Sequence, residues 1–295
     1  MKKICLVLEG GGNRGIYTSG VLDAFIDHNI DIRNIYGVSA GALHALSYLS
    51  RQKGRSLRIN KQHVYSRECV DYKRIFVGKS VLNLDYLFTE VNVSIDPLDF
   101  ESFNNKGDYV VVATNIVTGA PVYKKIEDYN KDWPYIKASA SLPVFSKYVN
   151  IDGLKLLDGG LSDSIPVVKA FNDGYDKVIA VLTRDVDFVC KPYKYMHVYK
   201  TKYLKYPNLI KTMENRADKY NVTRDLIENL QKEGKVLAIY PSEPLIISHL
   251  ENDSDKIDYI YNLGYNDAIK MIKKIKAFIG GNKDEQDESS KKRKV

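Results

Sequence analysis

Two stretches near the N-terminus decide the fold: Ile4-Cys5-Leu6-Val7-Leu8-Glu9-Gly10-Gly11-Gly12-Asn13-Arg14-Gly15 and, further on, Ile35-Tyr36-Gly37-Val38-Ser39-Ala40-Gly41. The first begins with an unbroken apolar run. Such a run reads as a strand buried on both faces, the usual condition in a parallel sheet. A glycine-rich turn follows. Ile16–His28 then places Val21, Leu22, Phe25 and Ile26 on one side of a helix. Ile32–Val38 repeats the strand pattern, and Ala40–Leu49 reads as a second helix rich in small residues. Strand, turn and helix, twice over, predict parallel strands joined by right-handed crossovers. The expected class is α/β, with a mainly parallel central sheet between helical layers.

Outward from this unit the pattern varies. Residues 50–108 read as short helices and loops, with a turn at Pro97. Tyr109–Thr114 is a strand that Ala120–Lys124 should pair with across Thr118-Gly119, and Ser146–Leu157 suggests a hairpin turning at Asp152-Gly153. Lys177–Leu182 is another buried strand. Leu209–Leu230 carries Leu209, Met213, Ala217, Tyr220, Leu226 and Leu230 near helical spacing, with Gly234 as its stop. Val236–Tyr240 is a last strand, and Asp253 or Ser254 can cap a final helix running to about Ile279. These spans divide the chain into an α/β domain over residues 1–192, a helical extension packed on it over 193–279, and a charged tail over 280–295. The tail has no apolar face and is expected to be disordered. Its Lys291-Lys292-Arg293-Lys294 run resembles a nuclear address but reads better as a solubilising tail.

Bulk properties exclude several classes. The chain has 295 residues, 44% hydrophobic and 27% charged, as in a soluble globular protein. No apolar run approaches the roughly 20 residues needed to cross a bilayer. The N-terminal apolar run stops at Glu9, too early for a secretory signal core. Cys5, Cys69 and Cys190 are odd in number and scattered, without metal-type spacing, which fits a reducing cytoplasm. No metal or other cofactor is expected. The net charge of +7 is concentrated in 51–79 and 184–224. The second stretch interleaves its cations with Tyr193, Tyr195, Tyr199, Tyr203, Tyr206 and Tyr220. That combination suits peripheral contact with an anionic membrane, while a plain solvated basic face is the simpler alternative. No nucleic-acid partner is expected.

Chemistry concentrates in three places. In the first, Gly10, Gly11, Gly12 and Gly15, with Arg14 among them, form a turn between strand and helix whose N–H groups can converge on an anion. The spacing also fits a dinucleotide fingerprint, but the second strand lacks the acidic residue at its end that such a site requires. In the second, Gly37-Val38-Ser39-Ala40-Gly41 has the context of a nucleophile elbow: a strand, a sharp turn with a serine flanked by tiny residues, and a helix. The alternative is that Ser39 merely caps the helix. In the third, Asp158 ends an apolar strand in Leu157-Asp158-Gly159-Gly160, where Gly159 and Gly160 permit close backbone approach. A partly desolvated carboxylate has a raised pKa and can accept a hydroxyl proton. Among the histidines, His44 should not face the Ser39 hydroxyl, whereas His197 or His249 could complete a Ser-His-Asp arrangement. A non-catalytic module binding nucleotide or anionic lipid through the glycine turn is the third alternative.

The three elements in this order resemble the patatin-like phospholipases, and in particular their bacterial members. Further segments are similar: Ala113-Thr114-Asn115 with Thr118-Gly119, Ala138-Ser139-Ala140-Ser141-Leu142-Pro143, and Pro166 after Asp158-Gly159-Gly160. Glu214-Asn215-Arg216 to Pro244-Leu245 resembles a C-terminal extension seen in bacterial members. The resemblance implies a three-layer α/β/α fold and a serine acyl hydrolase of phospholipase A, lysophospholipase or carboxylesterase type, acting on a lipid or other ester substrate. It further implies Ser39 as nucleophile and Asp158 as base without a catalytic histidine. The Gly10–Gly12 backbone would line an oxyanion hole, and Arg14 stands where the family has Lys or Arg.

Overall fold

The computed structural model describes residues 2–71, 73–74, 80–248 and 252–280. Its centre is an eight-stranded sheet: β1 (Ile4–Leu8), β2 (Ile35–Val38), β3 (Tyr109–Asn115), β4 (Pro121–Lys125), β5 (Val149–Ile151), β6 (Leu154–Asp158), β7 (Lys177–Val181) and β8 (Val236–Ile239). The order is β5-β6-β3-β2-β1-β7-β8, with β4 also paired to β3. The run β3-β2-β1-β7-β8 is wholly parallel; β4, β5 and β6 join antiparallel.

The helices are α1 (Gly15–Asp27), α2 (Ala40–Leu49), α3 (Arg55–Ile59), α4 (Leu84–Tyr86), α5 (Phe100–Asn104), α6 (Tyr129–Ser139), α7 (Val167–Asn172), α8 (Met196–Lys202), α9 (Pro207–Glu214), α10 (Arg216–Lys232) and α11 (Ser254–Gly280). They cover both faces of the sheet. Strand alternation shows how each residue is used. Leu6 and Leu8 of β1 join the core beneath α1, α2 and α11, while Cys5 and Val7 join the core beneath α7 and α10. β7 divides in the same way, Ile179 and Val181 against Val178 and Ala180. An unbroken apolar run is therefore what a strand between two helical layers requires. The fold is the expected three-layer α/β/α arrangement.

Residues 193–279 supply more than helices. β8 extends the main sheet in parallel beside β7, and α11 packs along α1, with Tyr261 donating to Asp23 at 2.7 Å. The single helix expected over Leu209–Leu230 is two, α9 and α10, broken at Asn215, where ψ is −3°. Asn is a weak helix former, and the break lets Arg216 point its Nε at the Gly160 carbonyl, 2.6 Å away. The tyrosines of the basic stretch serve mainly as packing: Tyr203 and Tyr220 are buried and only Tyr195 is strongly exposed. All three cysteines are free and buried. No described helix is long and apolar enough to cross a membrane. The tail from residue 281 onward lies outside the described residues.

Candidate active site

β3 brings Ser39 and Asp158 together. It lies between β2 and β6, with Val112 paired to Val38 on one side and Ala113 paired to Asp158 on the other. Ser39 follows directly on Val38, so the Ser39 and Asp158 side chains flank β3 at nearly the same level. The Ser39 hydroxyl donates to Asp158 Oδ2 at 2.6 Å. Both residues are nearly closed off from solvent, Ser39 at 6% exposure and Asp158 at 3%.

Ser39 has φ 52° and ψ −122°, a sparsely populated conformation for a residue with a side chain. The turn is held by the Ser39 N–H, which donates to Ser139 Oγ at 2.9 Å, and by the first turn of α2, where Leu43 N–H donates to the Ser39 carbonyl. Gly37 sits in β2 and Gly41 opens α2. A Cβ on Gly41 would stand 2.5 Å from the Leu8 carbonyl oxygen, so the elbow can lie on the end of β1 only with glycine there. Ser39 is the residue preceding α2, at the positive end of the helix dipole.

Asp158 is anchored on three sides. Gly160 N–H donates to Oδ1 at 2.7 Å, Thr114 Oγ1 donates to its carbonyl at 2.8 Å, and its own N–H donates to the Ser141 carbonyl at 2.9 Å. Gly159 crosses over β3 so closely that a Cβ would lie 2.1 Å from the Val112 carbonyl oxygen. Burial pushes the Asp158 carboxyl up to about 6, against the opposing effects of the Ser39 and Gly160 hydrogen bonds and the Arg216 charge.

The glycine turn closes the site. Gly10, Gly11 and Gly12 line the same cavity as Ser39 and Asp158. Gly12 has φ 54°, and the N–H groups of Gly11 and Gly12 have no protein acceptor among the described residues. Gly15 packs against Ala40, tying α1 to the start of α2. Arg14 lines the cavity beside Gly160 and Arg216.

The histidines take other positions. His44 shares an apolar cavity wall with Ser39 but is buried, and desolvation lowers its pKa to about 4. His197 is exposed, stacks edge-on against Tyr195 and lines neither cavity at Ser39. His249 lies outside the described residues. No histidine bonds to Ser39 or Asp158 among the described residues. Sequence reading missed Ser139 and Ser141 as supports. Both stood within the Ala138–Pro143 segment, but a serine holding an amide leaves no spacing signature.

Ser39 stands where two cavities meet. One, of about 130 Å³, is largely apolar and runs between α2, α3 and the helical turns over 84–95, past Leu43, Ile59, Leu87 and Phe88. The other, of about 820 Å³, is wider and bears Arg14, Arg184 and Arg216.

An elbow serine at the carboxyl end of parallel β2, bonded to a buried carboxylate at the end of antiparallel β6, is an arrangement that can activate a hydroxyl as a nucleophile. A family model described as patatin-like phospholipase matches residues 6–171, and another, described as a domain of unknown function, matches 206–280. The chain belongs to the patatin-like phospholipase family. It is 29% identical over 252 residues to the uncharacterized protein YjjU of Escherichia coli, an alignment covering 82% of this chain and 70% of YjjU. It is 28% identical over 288 residues to lysophospholipase NTE1 of Scheffersomyces stipitis, covering 90% of this chain but 18% of that protein. VipD from Legionella pneumophila aligns over 92% of this chain and 67% of its own, with a TM-score of 0.47 and 13% identity.

Proposed function

We propose that this protein is a carboxylic ester hydrolase that cleaves lipid acyl esters through a Ser39–Asp158 dyad. The observation that carries this reading is the 2.6 Å bond from a strained, buried Ser39 hydroxyl to a buried carboxylate. Family membership and the likeness to lysophospholipase NTE1 support lipid esters as the substrate class.

In the reaction, Asp158 takes the hydroxyl proton as Ser39 Oγ attacks the ester carbonyl. The tetrahedral oxyanion is held by the Gly11 and Gly12 N–H groups, with the α2 dipole adding to the field. Collapse expels the alcohol, which leaves with the proton from Asp158, and an acyl group remains on Ser39. Water then attacks the acyl-enzyme, losing a proton to Asp158, and the second collapse returns that proton to Ser39 Oγ as the carboxylic acid departs. The apolar cavity takes the start of the acyl chain, and the wide cavity takes the alcohol side. No cofactor enters this scheme.

Fluorophosphonate labelling with p-nitrophenyl ester hydrolysis, on wild type, Ser39→Ala and Asp158→Asn, tests it. Both signals should vanish with Ser39→Ala and hydrolysis should collapse with Asp158→Asn. A folded wild-type protein that neither labels nor hydrolyses would overturn the reading.

A further inference from the structure

The cavity that receives the acyl chain is not apolar throughout. Most of its wall is hydrocarbon, but His44, Ser47, Ser56 and Asn60 also line it. His44 and Ser47 lie one turn apart on α2. Ser56 and Asn60 lie one turn apart along α3 and the residue after it, and α3 packs on α2. All four residues are buried, and a plain alkyl chain offers none of them a partner.

His44 is the unusual member. It is 5% exposed, and among the described residues it makes no hydrogen bond, ion pair or ring contact. Gly15 leaves room for the ring, since a Cβ there would stand 3.1 Å from Nε2. Burial lowers the His44 pKa to about 4, so at neutral pH the ring is uncharged, with one nitrogen that donates and one that accepts. Asn60 Nδ2 donates to the Ser56 carbonyl at 2.8 Å, but the Ser56 hydroxyl and Asn60 Oδ1 make no hydrogen bond among the described residues. Arg55 also lines the cavity, yet its guanidinium is paired with Asp96 and donates to Asn92 Oδ1 at 2.7 Å and Ser47 Oγ at 3.4 Å, so its charge is met within the fold. The cavity therefore calls for a neutral polar group rather than an anion. A hydroxyl both donates and accepts, and it can recover the free energy that buried polar groups lose without partners.

We propose that His44, with Ser56 and Asn60, forms a hydroxyl-binding end to the acyl cavity, so that the preferred acyl group is short and carries a hydroxyl near its far end. This rests on the Ser39–Asp158 reading, because the acyl chain must begin at Ser39. His44 stands five residues beyond Ser39, about 7.5 Å along α2 at the rise of a helix and roughly the span of an extended six-carbon acyl chain. The cavity volume of about 130 Å³ suits a chain of that size, being close to the roughly 150 Å³ that takes up six-carbon benzene. A site that hydrogen-bonds a substrate hydroxyl discriminates against the analogue lacking it, because its own polar groups are then left unpaired.

The test compares kcat/KM for methyl 6-hydroxyhexanoate with that for methyl heptanoate, which replaces the hydroxyl by a methyl and keeps the length. Wild type should favour the hydroxy ester on the order of 10-fold or more, and His44→Leu should reverse the preference, slowing the hydroxy ester while speeding the heptanoate. Misfolding lowers both rates together and cannot produce that crossing. His44→Asn, which keeps a donor and an acceptor, should retain part of the wild-type preference. A wild-type ratio near one, or a ratio unchanged in His44→Leu, means that water or packing already satisfies the ring and overturns the proposal. Calorimetric titration of Ser39→Ala with the same two esters gives a second readout independent of turnover. Tighter binding of the hydroxy ester that an added His44→Leu change removes supports the site; equal binding of the two esters, or none, overturns it. If wild type neither labels with fluorophosphonate nor cleaves any ester, the dyad reading fails by itself and the titration still decides whether the cavity holds a hydroxylated chain.

Discussion

Replacing Asp158 with Asn should destroy activity and stabilise the protein. The carboxyl is 3% exposed, and burial raises its pKa from 3.8 to about 6. That rise corresponds to roughly 3 kcal/mol by which the folded state disfavours the charged form. At neutral pH the group is mostly ionised, so the wild-type fold carries nearly all of this cost. Asn has the same shape and no charge. Its Oδ1 can keep the Gly160 N–H, while its Nδ2 faces the Ser39 hydroxyl as a donor and cannot take its proton. The sign fixes the pH window. A raised folded pKa means that the folded state binds the proton more tightly, so wild-type stability is highest relative to the variant below about pH 4. The variant's advantage grows between about 4 and 6, then levels near 3 kcal/mol, roughly 5–10 °C in melting temperature. The assay is urea or thermal unfolding of both proteins from pH 3.5 to 8, with kcat/KM for a p-nitrophenyl ester measured alongside. Activity should fall on the order of 100–10,000-fold. A variant that is less stable than wild type at pH 7, or whose advantage does not shrink toward pH 4, would refute the charge-burial argument. A variant retaining activity within a few-fold would refute Asp158 as base.

Wild-type kcat/KM should rise with pH through an apparent pKa near 6 and stay flat to pH 8, since only ionised Asp158 can accept the proton; a limb that moves with substitution of His197 would point to histidine instead. Ser139→Ala leaves the amide of a strained Ser39 without its acceptor, costing about 1–3 kcal/mol of stability and lowering kcat more than it raises KM; unchanged kinetics would show that the elbow holds itself. Gly41→Ala places a methyl 2.5 Å from the Leu8 carbonyl oxygen and should abolish fluorophosphonate labelling even where the protein remains folded by circular dichroism. The apolar cavity is slightly smaller than the roughly 150 Å³ that takes up one benzene ring, so esters of about six carbons or fewer should be cleaved faster than palmitoyl esters; palmitate cleaved equally fast would mean that the cavity opens further.

The parts of this site that a linear reading reaches are those where chemistry and backbone demand coincide. Ser39 was legible because an elbow needs tiny neighbours, and Gly37 and Gly41 meet that need against Ala42 and the end of β1. Asp158 was legible because a charged residue ending an apolar strand before two glycines is costly without a purpose. The sheet was legible for a similar reason: β1 and β7 are apolar at successive residues, as only two-sided burial requires. What stayed hidden depends on distance along the chain. Arg216 reaches Gly160 across 56 positions, and Ser139 reaches Ser39 across 100. Neither carries a periodic signal, and helical spacing over 209–230 masked the break that frees Arg216. The arrangement of the basic Tyr-rich stretch stayed hidden for the same cause. Composition records that cations and aromatics are neighbours in sequence, yet Tyr203 and Tyr220 turn inward, while Arg184 and Arg216 meet Arg14 in a cavity. A charge run therefore indicates a surplus of cations without saying where they converge. Here part of that surplus, Arg14, Arg184 and Arg216, comes together in the cavity that Ser39 lines, because three separate elements deliver those residues to one place.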